Sequence, residues 1–493
     1  MRGLVCAAVK AILSFSNRKH TLECTITHAE WESLFFEATC YTPYTRMNNP
    51  DILTSKPVLK KIYDTYGNLS LSAYETACFD QAKEFANTHP ITERQQELFD
   101  GIHSIIEKIL GKECADRTIT DLKKNPITST ADHHGILSHP YFLSSNAVRL
   151  WNASDRGHTT LLTLPCAGIS LSNHSLPRGF MVHTEKNQVE KIYLKSLKEK
   201  LVPVYVADPL PETITQNLIQ QIQSLILSDT EKEKLKQTIT TVFNDETLLS
   251  LPSFDLQITK ATHTLAKELF GHDVDLVYLS QETLVVELLR AYHMQEKTLI
   301  HSLIFDPKTT KQFEKHFSGI LGAFSETHGS FLFWGIQDQK RIPLFYKNNQ
   351  LCSKDASFIL ELHPKEIDDM LRTKKIMPTM ALNFIVLSFY YGLVCGGGFN
   401  QVQYLEEMKK AWIEIVKNKE NSQEIDRLAA IPTDFYFGDY AFINIPGKNL
   451  FAHAFDVVLH ASSKELSDYK TAAKTKTLAE DIDDMIENFQ ILS

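Results

Sequence analysis

The sequence predicts a helix-rich α+β fold in which helices surround a mainly antiparallel sheet. Glycine is scarce, with 19 residues among 493, below the usual ~7%, which favours helices over repeated tight turns. Apolar residues recur at helical spacing through much of the chain, whereas residues 158–207 consist of short apolar runs broken by turns. With 43% hydrophobic and 23% charged residues, the chain has a globular composition and can bury a sizeable core.

Local patterns predict individual helices. Between Gln95 and Leu110, apolar side chains at helical spacing predict one buried face, made of Leu98, Ile102, Ile105, Ile106 and Ile109. Farther along, Ser228 and Glu231 have the spacing of a capping box, so a helix is expected to begin just after Ser228.

Strands are predicted in two places. Phe180 and Val182 alternate with Met181 and His183, and such a period of two is typical of a strand. We therefore predict an antiparallel meander over about 158–207 and a hairpin over about 330–346, both covered by helices.

The same patterns divide the chain into four regions, which we expect to pack as one or two domains. They are a helical N-terminal region (1–130), a β-meander with a histidine-rich candidate site (131–210), helices with a β-hairpin (211–350) and a mostly helical C-terminal region (351–493).

Charge and cysteine usage restrict the location and the partners. The net charge of −9 argues against a nucleic-acid partner, because such proteins usually show a basic excess. The nearest cysteines, Cys24 and Cys40, are sixteen residues apart, so we expect free thiols in a reducing cytoplasm. Residues 376–399 carry no charge, but Pro378 and Asn383 interrupt them, which favours a buried helix ending at Gly396 over a membrane span.

Several common motifs are missing. The chain contains no GxxxxGK[ST] and no GxGxxG, so no nucleotide cofactor is predicted. The run CGGGFNQ (395–401) lacks the dinucleotide-binding spacing and does not follow an obvious strand. We therefore interpret it as a loop that terminates a helix.

Histidine is the informative residue type. Of nineteen histidines, six fall within fifty-one residues, namely His133, His134, His139, His158, His174 and His183. They flank two polar strings with restrictive backbones, ADHHGILSHP (131–140) and SNHSLPRG (172–179). We treat these strings as the candidate site.

The first string predicts a metal site. On a strand, Asp132 and His134 share one side and His133 lies on the other. A turn at Gly135 then brings His139 back towards Asp132 and His134. Such a set binds a divalent metal (Zn, Mn or Fe) and leaves positions open for water or substrate. A metal-free acid/base site and a structural hydrogen-bonded network remain open as alternatives.

The second string predicts contacts to substrate. Arg178 suits a carboxylate or phosphate, while Asn173 and Ser175 suit hydroxyl or amide groups. Asn146 is predicted to face the same site. As catalytic residues we predict three histidines: His133, His134 and His174.

Asp132-His133-His134 resembles the motif that names the DHH phosphoesterases, which hold two Mn²⁺ or Mg²⁺ ions. The rest of that pattern is not met, because Phe399 stands where the family's GGGH has its histidine. Segment 48–55 likewise lacks the histidine and second aspartate of the first motif. The resemblance covers three residues, so no family is assigned.

The leading prediction is a cytoplasmic enzyme that acts on a small anionic or polar metabolite by metal-assisted hydrolysis. One alternative is a metal-free transferase or lyase that uses the same histidines as general acid and base. The other is a non-catalytic binding or interaction protein. Neither the substrate nor the oligomeric state follows from the sequence.

Overall fold

The computed structural model describes residues 53–90, 92–172, 179–295, 297–323, 329–417, 422–438 and 440–492. All of these residues belong to one compact unit, residues 44–493. The predicted class is confirmed at the level of a helix-rich, mixed α+β fold with several small sheets.

The helices of the described residues are α1 (Pro57–Tyr66), α2 (Leu71–Thr88), α3 (Thr92–Leu110), α4 (Lys112–Lys124), α5 (Pro140–Asp155), α6 (Ile214–Ser224), α7 (Asp229–Phe243), α8 (Glu246–Leu249), α9 (Phe254–Phe270), α10 (Gln281–Leu288), α11 (Leu299–Phe305), α12 (Pro307–Phe317), α13 (Pro364–Arg372), α14 (Met380–Phe384), α15 (Gln401–Val416), α16 (Ser422–Ala430), α17 (Ala454–His460), α18 (Ser463–Thr475) and α19 (Leu478–Leu492). The five apolar residues predicted to form one face of α3 are buried.

The strands are β1 (Ile127–Ser129), β2 (Thr160–Thr163), β3 (Gly179–His183), β4 (Val189–Tyr193), β5 (Asp275–Tyr278), β6 (Phe333–Gln337), β7 (Lys340–Ile342), β8 (Phe345–Lys347), β9 (Gln350–Cys352), β10 (Ile359–Glu361), β11 (Ile376–Pro378) and β12 (Val394–Gly396).

The four-stranded sheet is parallel, so the predicted mainly antiparallel sheet is confirmed only in part. Its strand order is β12-β1-β2-β5, and every neighbouring pair runs parallel. Every residue of these four strands is buried, as expected when helices cover both faces of a parallel sheet. β2 lies inside the predicted meander but pairs with parallel neighbours. Its short apolar run without alternation is typical of a parallel strand that is buried on both faces.

The antiparallel part of the prediction is confirmed only in pieces. β3 and β4 form a hairpin inside 158–207, and β6 and β7 form another inside 330–346. The alternating run near Val204 forms a short 3₁₀ turn after Pro203, although Val204 is fully buried as a strand residue would be. Alternation of apolar residues therefore indicated burial there without indicating a strand.

Residues 376–399 do not form the single buried helix that was predicted. They form β11, α14, a π-helical turn (Ile385–Tyr390) and β12 in succession. The Thr379 side chain caps α14, and Gly392 adopts a positive φ of 72° that ends the helical stretch. No helix among the described residues is both long and apolar enough to cross a membrane.

The glycine-rich run begins inside strand β12 and leads into helix α15, so its interpretation as a helix-terminating loop was wrong. A Cβ atom on Gly396 would lie 2.1 Å from the Phe437 ring, and one on Gly397 would lie 2.2 Å from the Gln401 side chain. These glycines therefore permit close packing at the carboxyl end of β12.

Candidate functional site

The loop 131–140 starts at the carboxyl end of β1 and first continues the strand. The Cys166 amide donates to the Asp132 carbonyl, and the His134 amide donates to the Cys166 carbonyl, both at 2.8 Å. This isolated parallel bridge is centred on His133. Successive side chains therefore point to opposite sides, and both Asp132 and His134 contact Tyr278.

Asp132 lies in a buried polar network. Its Oδ2 accepts hydrogen bonds from Asn146 Nδ2 at 2.6 Å and from the Tyr278 hydroxyl at 2.9 Å. The Thr163 hydroxyl donates to Asn146 Oδ1 at 3.0 Å and accepts from Arg149 Nη1 at 2.9 Å. All five side chains are buried. The structure thus brings together two predicted site residues, Asp132 and Asn146, inside the protein core.

His134 is directed towards a different partner. Its Nε2 lies 2.9 Å from the Asp255 carbonyl oxygen, and because a carbonyl only accepts, this nitrogen carries the ring proton. Burial lowers the pKa of His134, so the ring is neutral. Only Nδ1 keeps a lone pair for a metal or a proton.

Another group of side chains has the composition of a metal site. His183, His453 and Asp456 place one ligand atom each within 4.8 Å of one another; we call them the histidine cluster. In the described part of the chain, Asp132, His134 and His139 do not form such a group. The fold therefore supplies one His/His/Asp set that can hold a metal ion.

Two elements position the histidine cluster. His183 is the last residue of β3, while His453 is the N-cap residue of α17 and Asp456 lies in the first turn of that helix. Asp456 Oδ1 accepts from the His183 amide at 2.7 Å, and Asp456 Oδ2 accepts from the His453 amide at 2.9 Å. The carboxylate that caps the helix thereby also ties the end of β3 to it.

Hydrogen bonds define the tautomers of both imidazoles. His183 Nδ1 lies 2.8 Å from Asp456 Oδ2, and His453 Nδ1 lies 3.3 Å from the Ser138 carbonyl oxygen. Because both acceptors lack a proton to donate, each Nδ1 carries the ring proton and each Nε2 keeps a lone pair. A metal ion held by both His183 and Asp456 would have to replace the proton between His183 Nδ1 and Asp456 Oδ2, because His183 Nε2 is directed away from this carboxylate. The rings stack with centroids 5.2 Å apart.

The protonation states suit a metal. Burial lowers the pKa of His453 to about 4, so its imidazole is neutral at neutral pH. Burial opposes ionisation of Asp456, but the hydrogen bonds from the side chain and the main chain of His183 outweigh it and lower the Asp456 pKa. A neutral imidazole and an ionised carboxylate are the forms that bind metal ions.

The second half of the loop borders this cluster. The Ser138 carbonyl faces His453, and the Ser138 hydroxyl accepts from the Met181 amide at 3.4 Å. His139 Nδ1 accepts from the Tyr141 amide and caps α5. Burial, followed by interactions with His453 and His133, lowers the pKa of His139 to about 3. His139 therefore lies beside the cluster as a neutral imidazole.

The predicted residues Asn173, His174, Ser175 and Arg178 lie outside the described residues.

Sequence reasoning missed His453 and Asp456. Their spacing is that of a helix-capping pair, which has a common structural explanation. Nothing local connects them to His183, because His453 lies 270 positions farther along the chain. Only the tertiary packing of β3 against α17 brings the three side chains together.

No protein-family model matches this sequence, and a comparison with curated proteins finds no similar one.

Proposed function

We propose that this protein is a metal-dependent hydrolase that acts on a small anionic or polar metabolite and binds its metal at the histidine cluster. The convergence of His183, His453 and Asp456 within 4.8 Å carries this proposal. Two imidazoles and one carboxylate are a ligand set for Zn²⁺, Mn²⁺ or Fe²⁺ that leaves coordination positions open. A bound ion of this kind lowers the pKa of water towards ~7 and provides hydroxide as a nucleophile.

The surrounding contacts favour this use of the cluster. The Ser138 carbonyl orients His453 in the way that outer hydrogen bonds orient metal-binding histidines. The His183 side chain keeps 9% of its surface exposed, so the cluster is not sealed from solvent. His139 adds a neutral imidazole beside it.

One observation favours a second candidate function, metal-free acid/base catalysis. The 2.8 Å contact between His183 Nδ1 and Asp456 Oδ2 is the arrangement by which a carboxylate orients a catalytic base. In this case His183 Nε2 exchanges protons with substrate directly. Activity then survives treatment with a chelator and is lost in His183→Ala.

The third function, non-catalytic binding of a partner through the acidic side chains of the last helix, α19, has less support. Asp481 accepts from the Ala441 amide, and Asp484 pairs with Lys476 at 2.6 Å. These acidic groups of α19 already make contacts within the chain. A non-catalytic role therefore rests on no separate feature of the described residues.

Elemental analysis tests the proposal. Tagless protein is loaded with zinc, desalted and measured by mass spectrometry beside His183→Ala and His453→Ala. We expect one equivalent of zinc in the wild type and none in either variant. His134→Ala is the matched control, because it also removes a buried imidazole but lies outside the cluster, and it should retain zinc.

Other results would change the assignment. A wild type that retains no zinc, manganese or iron contradicts a metal centre. Loss of metal in His134→Ala, with retention in His453→Ala, would restore the set Asp132, His134 and His139. Hydrolysis of small phosphate and carboxylate esters should then follow the metal content, and activity that persists in chelator supports the metal-free alternative.

A further inference from the structure

We propose that Lys191 binds a carboxylate of the substrate at the histidine cluster. The inference rests on the proposed function and deepens it, because it restricts the substrate to molecules that carry a negative charge close to the bond that is hydrolysed. Lys191 lies on β4, and the partner strand β3 ends at His183.

The register of the β3–β4 hairpin places Lys191 beside the cluster. Met181 pairs with Lys191, and His183 pairs with Val189. Paired residues point to the same side of a sheet, and so do residues two positions apart on one strand. Lys191 is therefore the diagonal neighbour of His183 on one face of the hairpin, at a separation of roughly 7–8 Å that a long side chain can span.

The two faces of the hairpin differ in exposure. Phe180 and Val182, on the inner face, are fully buried in the core. On the outer face, Val189 is 44% exposed and Lys191 is exposed as well. His183 belongs to this outer face and is not sealed from solvent. A ligand can therefore reach the histidine cluster over the outer face of the hairpin, past Lys191.

Lys191 supplies a positive charge to this face. Within the described residues it forms no ion pair with a carboxylate. Burial is the main cause of the lowered pKa of His453, and the charge of Lys191 adds to it. The ammonium therefore acts electrostatically on the cluster, and its charge is left for a ligand that binds there.

A metal ion at the cluster and the ammonium of Lys191 repel each other. The two positive charges are compatible when an anionic group lies between them, because this group attracts both. A substrate carboxylate meets this requirement, since a single ammonium balances its single charge. Bound in this way, the carboxylate fixes the neighbouring ester bond beside the metal site, and such positioning accelerates hydrolysis.

Ester hydrolysis by the zinc-loaded protein at low salt tests the inference. The two probes are the mono-para-nitrophenyl ester of glutarate, which carries a carboxylate, and para-nitrophenyl acetate, which carries none. We expect the ratio of their kcat/KM values, glutarate ester over acetate ester, to fall by about two- to fivefold in Lys191→Met, through a higher KM for the glutarate ester. Lys191→Arg keeps the charge and should restore the ratio.

Lys198→Met is the matched control, because Lys198 is also exposed but lies beyond the end of β4 that pairs with Gly179. It should leave the ratio unchanged. Zinc affinity gives a second readout, since removal of a like charge in Lys191→Met should strengthen zinc binding slightly in a competitive titration. Weaker zinc binding together with an equal loss for both esters indicates a structural defect and overturns the proposal.

The outcomes separate this inference from the proposed function. A wild type that retains no metal contradicts both. The same ratio for the two esters in zinc-loaded wild type and in Lys191→Met overturns the role of Lys191 alone. If the zinc-loaded protein hydrolyses neither ester, calorimetric titration with glutarate makes the same comparison, and equal affinities in the wild type and Lys191→Met overturn the inference.

Discussion

The two halves of loop 131–140 differ in their hydrogen-bond partners. In the first half, Asp132 and His134 bond to groups of the core, namely Asn146, Tyr278 and the Asp255 carbonyl. In the second half, the Ser138 carbonyl orients His453, whose Nε2 lone pair is left for a ligand. Neighbouring residues of one histidine-rich string therefore divide between bonding to the core and bordering the proposed metal site. Amino-acid composition locates such a string in the sequence, but the hydrogen-bond partners in the fold determine the role of each residue.

The largest expected effect is a loss of stability when Asp132, in the first half of the loop, is replaced. Asp132→Ala leaves the Tyr278 hydroxyl and the Asn146 amide without their buried acceptor. We expect the free energy of unfolding to fall by about 3–5 kcal/mol, measured by urea denaturation. Asp132→Asn keeps an oxygen at the position and should lose less. A loss below about 1 kcal/mol in Asp132→Ala would show that the network does not hold the core.

Zinc should stabilise the protein through the histidine cluster, which borders the second half of the loop, and not through the network of Asp132. A ligand that binds the native state alone stabilises it by about 2.7 kcal/mol at a free concentration one hundred times Kd. We expect this gain in unfolding free energy for the wild type and for Asp132→Asn. It should vanish in His453→Ala. Equal gains in all three proteins would mean that zinc binds elsewhere.

Acid should destabilise the half that borders the cluster. The pKa values of His453 and His139 lie at about 4 and about 3, below the usual ~6.5. As the pH falls below ~6.5, the unfolded chain takes up protons that the folded chain excludes. The stability that is fully present above this pH is then lost progressively down to about pH 4.

His139→Asn sharpens this test, because asparagine also caps helices well. In chelator, the variant should lose stability less steeply between pH 6.5 and pH 4, by up to about 1.4 kcal/mol per pH unit. Denaturation curves at several pH values measure this slope. Identical slopes for the variant and the wild type would contradict the burial of a neutral His139.

The smallest effect concerns Ser138. Its hydroxyl accepts one long hydrogen bond, 3.4 Å from the Met181 amide, whereas its carbonyl faces His453. Ser138→Ala should therefore cost only about 0.5–1 kcal/mol and leave zinc affinity unchanged in a competitive titration. A fall in zinc affinity would show that the hydroxyl, and not the main chain, supports the cluster.

Features that depend on a few neighbouring residues could be predicted from the sequence. The capping box of Ser228 and Glu231 forms as expected, and so does the apolar face of α3. The alternation of Asp132 and His134 against His133 also follows from the strand period. In each case the interacting residues lie within a few positions of one another.

Features that depend on distant partners could not be predicted. β1 has no local signal for its pairing with β12, since the register joins Ile127 to Val394. The same limit applies to the cluster, in which His183 belongs to the predicted region but His453 and Asp456 do not. The end of β3 and the start of α17 each have a local sequence pattern, but only the tertiary packing brings them together.

The long-range pairing of β1 with β12 has a consequence during synthesis. The two strands are 267 residues apart, from Ile127 to Val394. At roughly 5–20 residues per second on a ribosome, about 13–50 s pass between the emergence of β1 and that of its neighbour. During this interval one edge of a buried, apolar strand has no partner in the sheet. We therefore expect the nascent chain to depend on a chaperone until residue 396 has left the exit tunnel.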